Sequence, residues 1–198
     1  AGKGYVYEGG LRVPLIARWP GHFPAGKIVD APVNNTGWVP TLLELIDAEP
    51  PRNLDGRSFA QALLGGTIPA APLFWHYPHY TNQGSRPSGA MRDGAWLLVE
   101  LYDEDATELY DLSTDIGEAH DIAAEHPERV AAMKAALAAY RQANDVQYNC
   151  PNPDVDEARF RALYVEVDTS KFDPLTADEQ TWQTIHAWRQ RMREATQG

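Results

Sequence analysis

The sequence has a single cysteine, three methionines, and only 17 lysines and arginines against 28 acidic residues, for a formal net charge of -11 over 198 residues. One thiol, Cys150, excludes an internal disulfide and any metal cluster built on several cysteines. The shortage of base disfavours nucleic acid or an acidic membrane surface as a partner, because counterion release needs a clustered basic face. An anionic small substrate stays open where cations are concentrated locally. No apolar run approaches the roughly 18 residues that a membrane span needs. No basic n-region with an apolar h-region is present, but the chain does not begin with Met, so that absence excludes nothing. Apolar surface is there in quantity: 43% of the residues are hydrophobic, enough for a core and too many for global disorder. At this length one large domain, or one and a half small ones, is expected.

Residues 11–19, LRVPLIARW, read as a buried strand ended by the turn PGHFPAGK. A helix follows in NNTGWVPTLLELIDAEPP, with Trp38, Leu42, Leu45 and Ile46 on one face and Pro50-Pro51 as its stop. With Gly37 as N-cap, Pro40 falls at the third helical position, where its missing N–H costs no intrahelical bond. LDGRSFAQALLGG gives a loop and a short amphipathic helix closed by Gly65-Gly66, and the small, Pro-containing stretch from Thr67 to Ala71 is the expected boundary. Beyond it PLFWHYPHY, GAMRDGAWLLVEL and TELYDLSTD alternate as strands, with turns at Asp93-Gly94 and YDEDAT, so an antiparallel sheet of about three or four strands is expected.

HPERVAAMKAALAAYRQAN then reads as a helix, with Pro127 in its first turn, Glu128 favouring its dipole, and Val130, Met133, Leu137 and Tyr140 as its apolar stripe. The tail from Asp145 is rich in Asn, Pro and Asp and reads as irregular, with a strand candidate at ALYVEV. From Ala177 to Arg193 a helix is predicted, with Trp182, Ile185, Trp188 and Met192 in register and a capping box of Thr176 and Glu179.

The residues with chemistry begin at once: Lys3 stands between Gly2 and Gly4, where a glycine backbone comes close to a ligand and an ammonium reads as a point charge for an anion. A solvated lysine at a chain end is the plainer alternative. In HYPHY, His76 and His79 are three apart across Pro78, so a bend brings both rings toward one cleft. With no third ligand in sight, zinc is a poor reading of that pair. Packing of Phe74, Trp75, Tyr77 and Tyr80 at a sheet edge, with hydrogen-bonded histidines, competes with contacts to a substrate in a cleft. Asn82, Gln83 and Arg86 follow in a loop, and the guanidinium of Arg86 suits an anionic group such as a carboxylate. Glu8 and Arg12 flank Gly9-Gly10 and read as a pair fixing the loop. His22, His120, His126 and His186 read as surface residues, and the acidic residues as solvated turn and helix groups.

GKGYVYEGGLRVPLIARWPG, PTLLELI, LDGRSFAQALLG, LFWHYPHY and LYDLSTDIGEAHDIAAEHPERV stand in an order and spacing that resembles the C-terminal part of sulfatases, the formylglycine-dependent arylsulfatase-like enzymes of the alkaline phosphatase superfamily. The resemblance runs from about Gly2 to Asn144. It implies an α/β protein of α+β character: residues 1–66 as the end of the large catalytic α/β domain, 67–144 as a small antiparallel sheet packed by a helix, and 145–198 as an extension, irregular then helical. It implies that Lys3 contacts the sulfate group as a catalytic residue, and that the chain begins within the catalytic domain, just past a metal-binding Asp-Asn pair. The family's small subdomain overhangs the pocket, which gives His76, His79 and Arg86 as substrate-binding candidates.

By the same resemblance the complete enzyme uses a formylglycine made from the cysteine of a C-x-P-x-R motif and a divalent metal, Ca²⁺ in the usual case, with no metal ligand in this chain. Cys150, in NCPNPD, is followed directly by proline and does not fit that motif. The chain alone is therefore expected to be inactive. The implied partners are a sulfated small molecule or glycan and the rest of the catalytic domain, with no nucleic acid and no membrane, and the family's compartment is periplasmic or secreted. Two departures from the family pattern are Gly37, where an acid often opens the helix, and Leu97, where a lysine is common and which implies a more covered strand face. A phosphonate or phosphate ester hydrolase on the same scaffold is the alternative activity, and a non-catalytic sulfate- or glycan-binding module the alternative class.

Overall fold

Along the chain the elements are α1 (Glu8–Leu11), α2 (Trp38–Leu45), α3 (Ala60–Leu63), the strands β1 (Leu73–Tyr77), β2 (Ser88–Asp93), β3 (Trp96–Leu101) and β4 (Ala106–Asp111), then α4 (Pro127–Ala143), α5 (Glu157–Tyr164) and α6 (Glu179–Thr196). The structure is a computed structural model and describes residues 2–196. Two units are distinguished within it: Pro14–Leu73, and the stretch up to Val13 together with everything from Phe74.

In the larger unit the strands lie in the order β1-β2-β3-β4. The antiparallel register of β2 and β3 runs from Ser88 opposite Leu101 to Asp93 opposite Trp96, and β4 pairs antiparallel with the other edge of β3. Successive side chains of a strand point to opposite faces, so the run Leu97, Leu98, Val99 in β3 supplies apolar groups to both. On one face Leu98, Met91 and Leu109 pack with Met133 and Leu137 of α4, with Val130 and Tyr140 at the edge of the cluster. On the other, Leu97, Val99, Ala90, Tyr110 and Leu112 pack with Val6 and Tyr7. The expected α4 stripe is the one that is buried, and Leu97 has no exposed surface, as its departure from the family pattern implied. Burying each such Leu stabilises the fold by about 1.5–3 kcal/mol. The N-terminal stretch is thus a layer of this unit, laid on the sheet face opposite α4.

The extension differs from its expectation. ALYVEV forms no strand; Ala162 to Tyr164 are the end of α5, which starts at the cap Asp156, whose side chain accepts from the Arg159 N–H at 3.0 Å. Leu163 of α5 packs with Trp188 and Met192 of α6, and the Trp188 indole N–H donates to the Leu163 carbonyl at 2.8 Å. The helix places Leu163 where the apolar stripe of α6 buries it, with Tyr164 and Val167 half-buried against the same cluster. The cap of α6 is also not the predicted pair: the Asp178 carboxylate accepts from the Thr181 N–H at 2.8 Å, while the Thr176 hydroxyl is turned to Asp173.

In the smaller unit α2 starts as expected, with Gly37 before it and Pro40 at its third position, and ends at Leu45 with Asp47 in the left-handed region at φ 55°. It is fastened by buried Thr41, whose hydroxyl donates to the Gly37 carbonyl at 2.6 Å and accepts from the Phe59 N–H at 2.9 Å. Trp38 meets the Phe59 ring edge-on at 4.9 Å. The rest of the predicted apolar face is only partly covered: Leu45 is half-buried, Leu42 and Ile46 are exposed, and the helix buries Pro40 and Thr41 instead. Residues 11–19 form no strand either. Leu11 ends α1, and no described strand pairs with the segment that follows it. A strand without a neighbour leaves its N–H and C=O groups to water, and here Ile16 is 91% exposed. The turn after it is present, with the Phe23 N–H donating to the Trp19 carbonyl at 2.9 Å. No described helix is long and apolar enough to cross a membrane.

Candidate functional site

Lys3 sits in a tight turn closed by the Tyr5 N–H, which donates to the Gly2 carbonyl at 3.3 Å. Gly4 follows at φ 101°, a conformation that side chains rarely adopt. The turn is braced from two directions. Gly10 of α1 is so close that a Cβ there would strike the Tyr5 carbonyl and lie 2.7 Å from the Gly2 oxygen. A Cβ at Gly4 would lie 3.1 Å from Gln83, so the turn also rests on the loop after HYPHY. The Lys3 ammonium itself is exposed and, among the described residues, has no hydrogen bond or ion pair. The backbone is held while the charge is left available.

The hold extends into the sheet. The Glu8 carboxylate, buried at the start of α1, accepts from Arg92 of β2 at 2.9 Å and from Arg12 at 3.5 Å. The Glu8 N–H donates to the Glu118 carboxylate at 2.8 Å. Burial pushes Glu118 up to about 7, and it sits in the left-handed region at φ 54°. The Tyr7 hydroxyl donates to Glu108 of β4 at 2.6 Å. Arg12 does pair with Glu8, as its spacing suggested, but the closer cation is Arg92, 84 positions away in the chain. Neither Arg92 nor Glu118 is legible as a partner in the sequence, since no local pattern marks contacts across a sheet.

His76 and His79 do not share surroundings. The His76 ring, at the end of β1, has both nitrogens engaged: Nδ1 lies 2.8 Å from the Tyr102 hydroxyl and Nε2 2.8 Å from the Gln147 carbonyl. Arg141 donates to the same Tyr102 oxygen at 3.1 Å. The Gln147 carbonyl can only accept, so Nε2 is the donor there. His79 is exposed, stands edge-on to Tyr77 at 5.3 Å, and has no hydrogen bond among the described residues. Arg86 is held by two carboxylates, with Nε 2.8 Å from Asp103 and Nη1 on Glu104. Tyr80 donates to the same Asp103 at 2.9 Å. The structure therefore brings the Lys3 turn onto the loop between His79 and Arg86, while both ring nitrogens of His76 and the Nε and Nη1 of Arg86 already have protein partners.

Among the described residues no three His, Cys, Asp or Glu side chains converge as a metal ion requires. Several acids instead satisfy backbone donors: Asp121 accepts from the N–H groups of Leu109 and Ala123, each at 2.9 Å, and Asp111 from that of Ser113 at 2.9 Å. Cys150 is exposed. A cavity of about 820 Å³ lies between Met91 and Asp93 of β2 and the start of α4, and takes none of the predicted site residues.

Comparison with known proteins gives the family of the chain. Residues 2–143 match the family model for the C-terminal region of N-sulphoglucosamine sulphohydrolase, and the chain belongs to that sulfatase family. It is 33% identical over 138 residues to a sulfatase of Formosa agariphila, covering 63% of this chain and 25% of that protein. To human arylsulfatase A it is 34% identical over 158 residues, covering 67% of this chain and 31% of the relative. The crystal structure of Ps i-CgsB superposes with a TM-score of 0.61 at 28% identity, over 71% of this chain and 31% of that one. The chain thus spans about a quarter to a third of the length of these two curated relatives. The mixed α/β fold with its small antiparallel sheet and C-terminal helices is the expected one. The family implies a metal and a formylglycine in general.

Proposed function

We propose that this chain is the C-terminal part of a sulfuric ester hydrolase, in which Lys3 binds the sulfate group and stabilises charge on it during transfer. The observation that carries the reading is the Lys3 turn: a backbone braced by Gly10 and Gln83, presenting an ammonium without a protein partner among the described residues. A sulfuryl group in transfer carries negative charge on its oxygens, and a fixed cation held in a dry pocket stabilises that charge without reorganising. Formylglycine, as its hydrate, and a divalent metal, taken here as Ca²⁺, would supply the nucleophile and Lewis acid in the complete enzyme.

The loop from His79 to Arg86, on which the Lys3 turn rests, forms the rim on the substrate side in this reading. Direct contact falls to His79, whose ring is exposed, while His76 and Arg86 shape the rim through Tyr102, Gln147, Asp103 and Glu104. A sulfated glycan is the preferred substrate class; the related Ps i-CgsB was solved in complex with k-i-k-neocarrahexaose.

The test is hydrolysis by the complete protein. Sulfate release from an aryl sulfate and from sulfated oligosaccharides, with little turnover of a phenyl phosphonate, is the expected result. Preferred turnover of the phosphonate would assign the alternative activity, and binding of sulfated oligosaccharide without any turnover would leave a binding module. Replacing His79 with Ala is expected to raise KM for an oligosaccharide more than it lowers kcat on a small aryl sulfate, the signature of lost uniform binding.

A further inference from the structure

The family match ends at residue 143, yet the residues beyond it reach back to the Lys3 turn. The contact is at Tyr5, two positions from Lys3. Its phenol oxygen is hydrogen-bonded to the Thr169 hydroxyl, and both oxygens lie 3.4 Å from the Gln83 carbonyl. Thr169 opens a short 3-10 turn, Thr169–Lys171, whose start is fixed by Asp168 accepting from the Ser170 N–H at 3.0 Å. Gly84 lies at the centre of the junction with φ 92°. A Cβ there would come 2.8 Å from the Trp188 ring and 3.0 Å from the Tyr5 hydroxyl, and would strike Thr169. Only glycine allows three segments so distant in the chain to close on one point.

The extension has its own support for this role. Trp188 is buried and tied to Leu163, so α5 and α6 pack together as a platform. The platform is fastened to the sheet unit at further points: Tyr80 lies tilted against Tyr164 at 4.8 Å and meets Phe160 edge-on at 5.6 Å, the Asn149 side chain donates to the Pro78 carbonyl at 3.0 Å, and Gln147 receives His76. All these contacts fall on the stretch from His76 to Gly84, the same stretch that carries the Lys3 turn.

We propose that the extension from residue 145 onward is a positioning element for Lys3, acting through Thr169 on Tyr5. The chain of contacts is short: Thr169 holds the Tyr5 phenol, the Tyr5 N–H closes the turn on Gly2, and Gly10 leaves that turn no room to shift toward α1. Thr169 and Tyr5 are positioning residues; neither needs to touch substrate. The inference rests on the proposed role of Lys3.

The experiment is a double-mutant cycle in the complete protein, comparing Thr169→Val and Thr169→Ser in the wild-type and Lys3→Ala backgrounds, with an aryl sulfate as substrate. Thr169→Val is expected to lower kcat about 3- to 10-fold, since small misplacements of a catalytic group are costly, with KM and Tm nearly unchanged. Thr169→Ser, which keeps the hydroxyl, restores activity. In the Lys3→Ala background Thr169→Val adds nothing, because the group it positions is gone. Amide exchange at Tyr5, read without reference to activity, is faster in Thr169→Val.

Unchanged kcat in Thr169→Val, or the same fold-loss in both backgrounds, overturns the inference while leaving the sulfatase reading in place. If the wild-type protein turns over no sulfate ester, the sulfatase reading fails by itself. The exchange arm then decides: faster exchange at Tyr5 supports the clasp, and unchanged exchange overturns it.

Discussion

Arg92 and Glu8 form an ion pair of 2.9 Å in which the carboxylate side chain is 6% exposed and the guanidinium 18%. It fastens the helix that follows the Lys3 turn to β2. The second cation on Glu8, Arg12, is 58% exposed at 3.5 Å and sits in water-like surroundings. Removing one partner of a buried pair strands the other charge, which typically costs about 3–5 kcal/mol. An exposed partner is worth at most about 1 kcal/mol. Urea unfolding of Arg92→Ala and Arg12→Ala is expected to show this asymmetry, and equal losses would contradict it.

Glu118, next to this pair, gives a pH dependence. Burial raises it to about 7 from 4.5, helped by the charges of Glu8 and Asp115 and opposed by the hydrogen bond from the Glu8 N–H. Between those values the folded state keeps a proton that the unfolded chain has released, so this group's contribution to stability is lost as pH rises through the window. Glu118→Gln keeps the acceptor for Glu8 and does not titrate. Its unfolding midpoint is expected to fall less than that of the wild type from pH 4.5 to 7; parallel curves would show that Glu118 titrates normally.

Gly10→Ala places a methyl group against the Tyr5 and Gly2 carbonyls, which are backbone and cannot turn aside. Overpacking of this kind costs about 1–3 kcal/mol. The substitution is also expected to shift the Lys3 turn, so kcat should fall together with Tm. A variant with wild-type Tm and kcat would mean that the turn is not braced there.

The parts of the fold that were legible in the sequence are those whose partners lie nearby. The hairpin of β2 and β3 carries its own turn, and the α4 stripe of Met133 and Leu137 repeats at helical spacing and packs on the sheet beside it. Residues 11–19 and the face of α2 with Leu42 and Ile46 misled for one shared reason: apolar patterning states that a face prefers burial, not what will cover it. Short runs such as ALYVEV were undecidable locally, because burial of Leu163 depends on Trp188, 25 residues away. At the candidate site, Lys3 stood out by its glycines and by the family pattern. Tyr5, Arg92, Glu118 and Thr169 did not, since each matters only through a residue far along the chain. The engagement of His76 by Gln147 was hidden in the same way.

The central claim is that the Lys3 ammonium binds and stabilises the sulfate group. The direct measurement is kcat of Lys3→Ala on an aryl sulfate in the complete protein, with circular dichroism confirming the fold. Loss of one such electrostatic partner typically costs about 100- to 1000-fold, and that is the expected fall. Lys3→Arg is expected to recover only part of it, because a planar guanidinium does not occupy the position of a compact ammonium. Retention of more than about a third of wild-type kcat, a loss below ~1 kcal/mol, would contradict the claim and return Lys3 to a solvated loop charge.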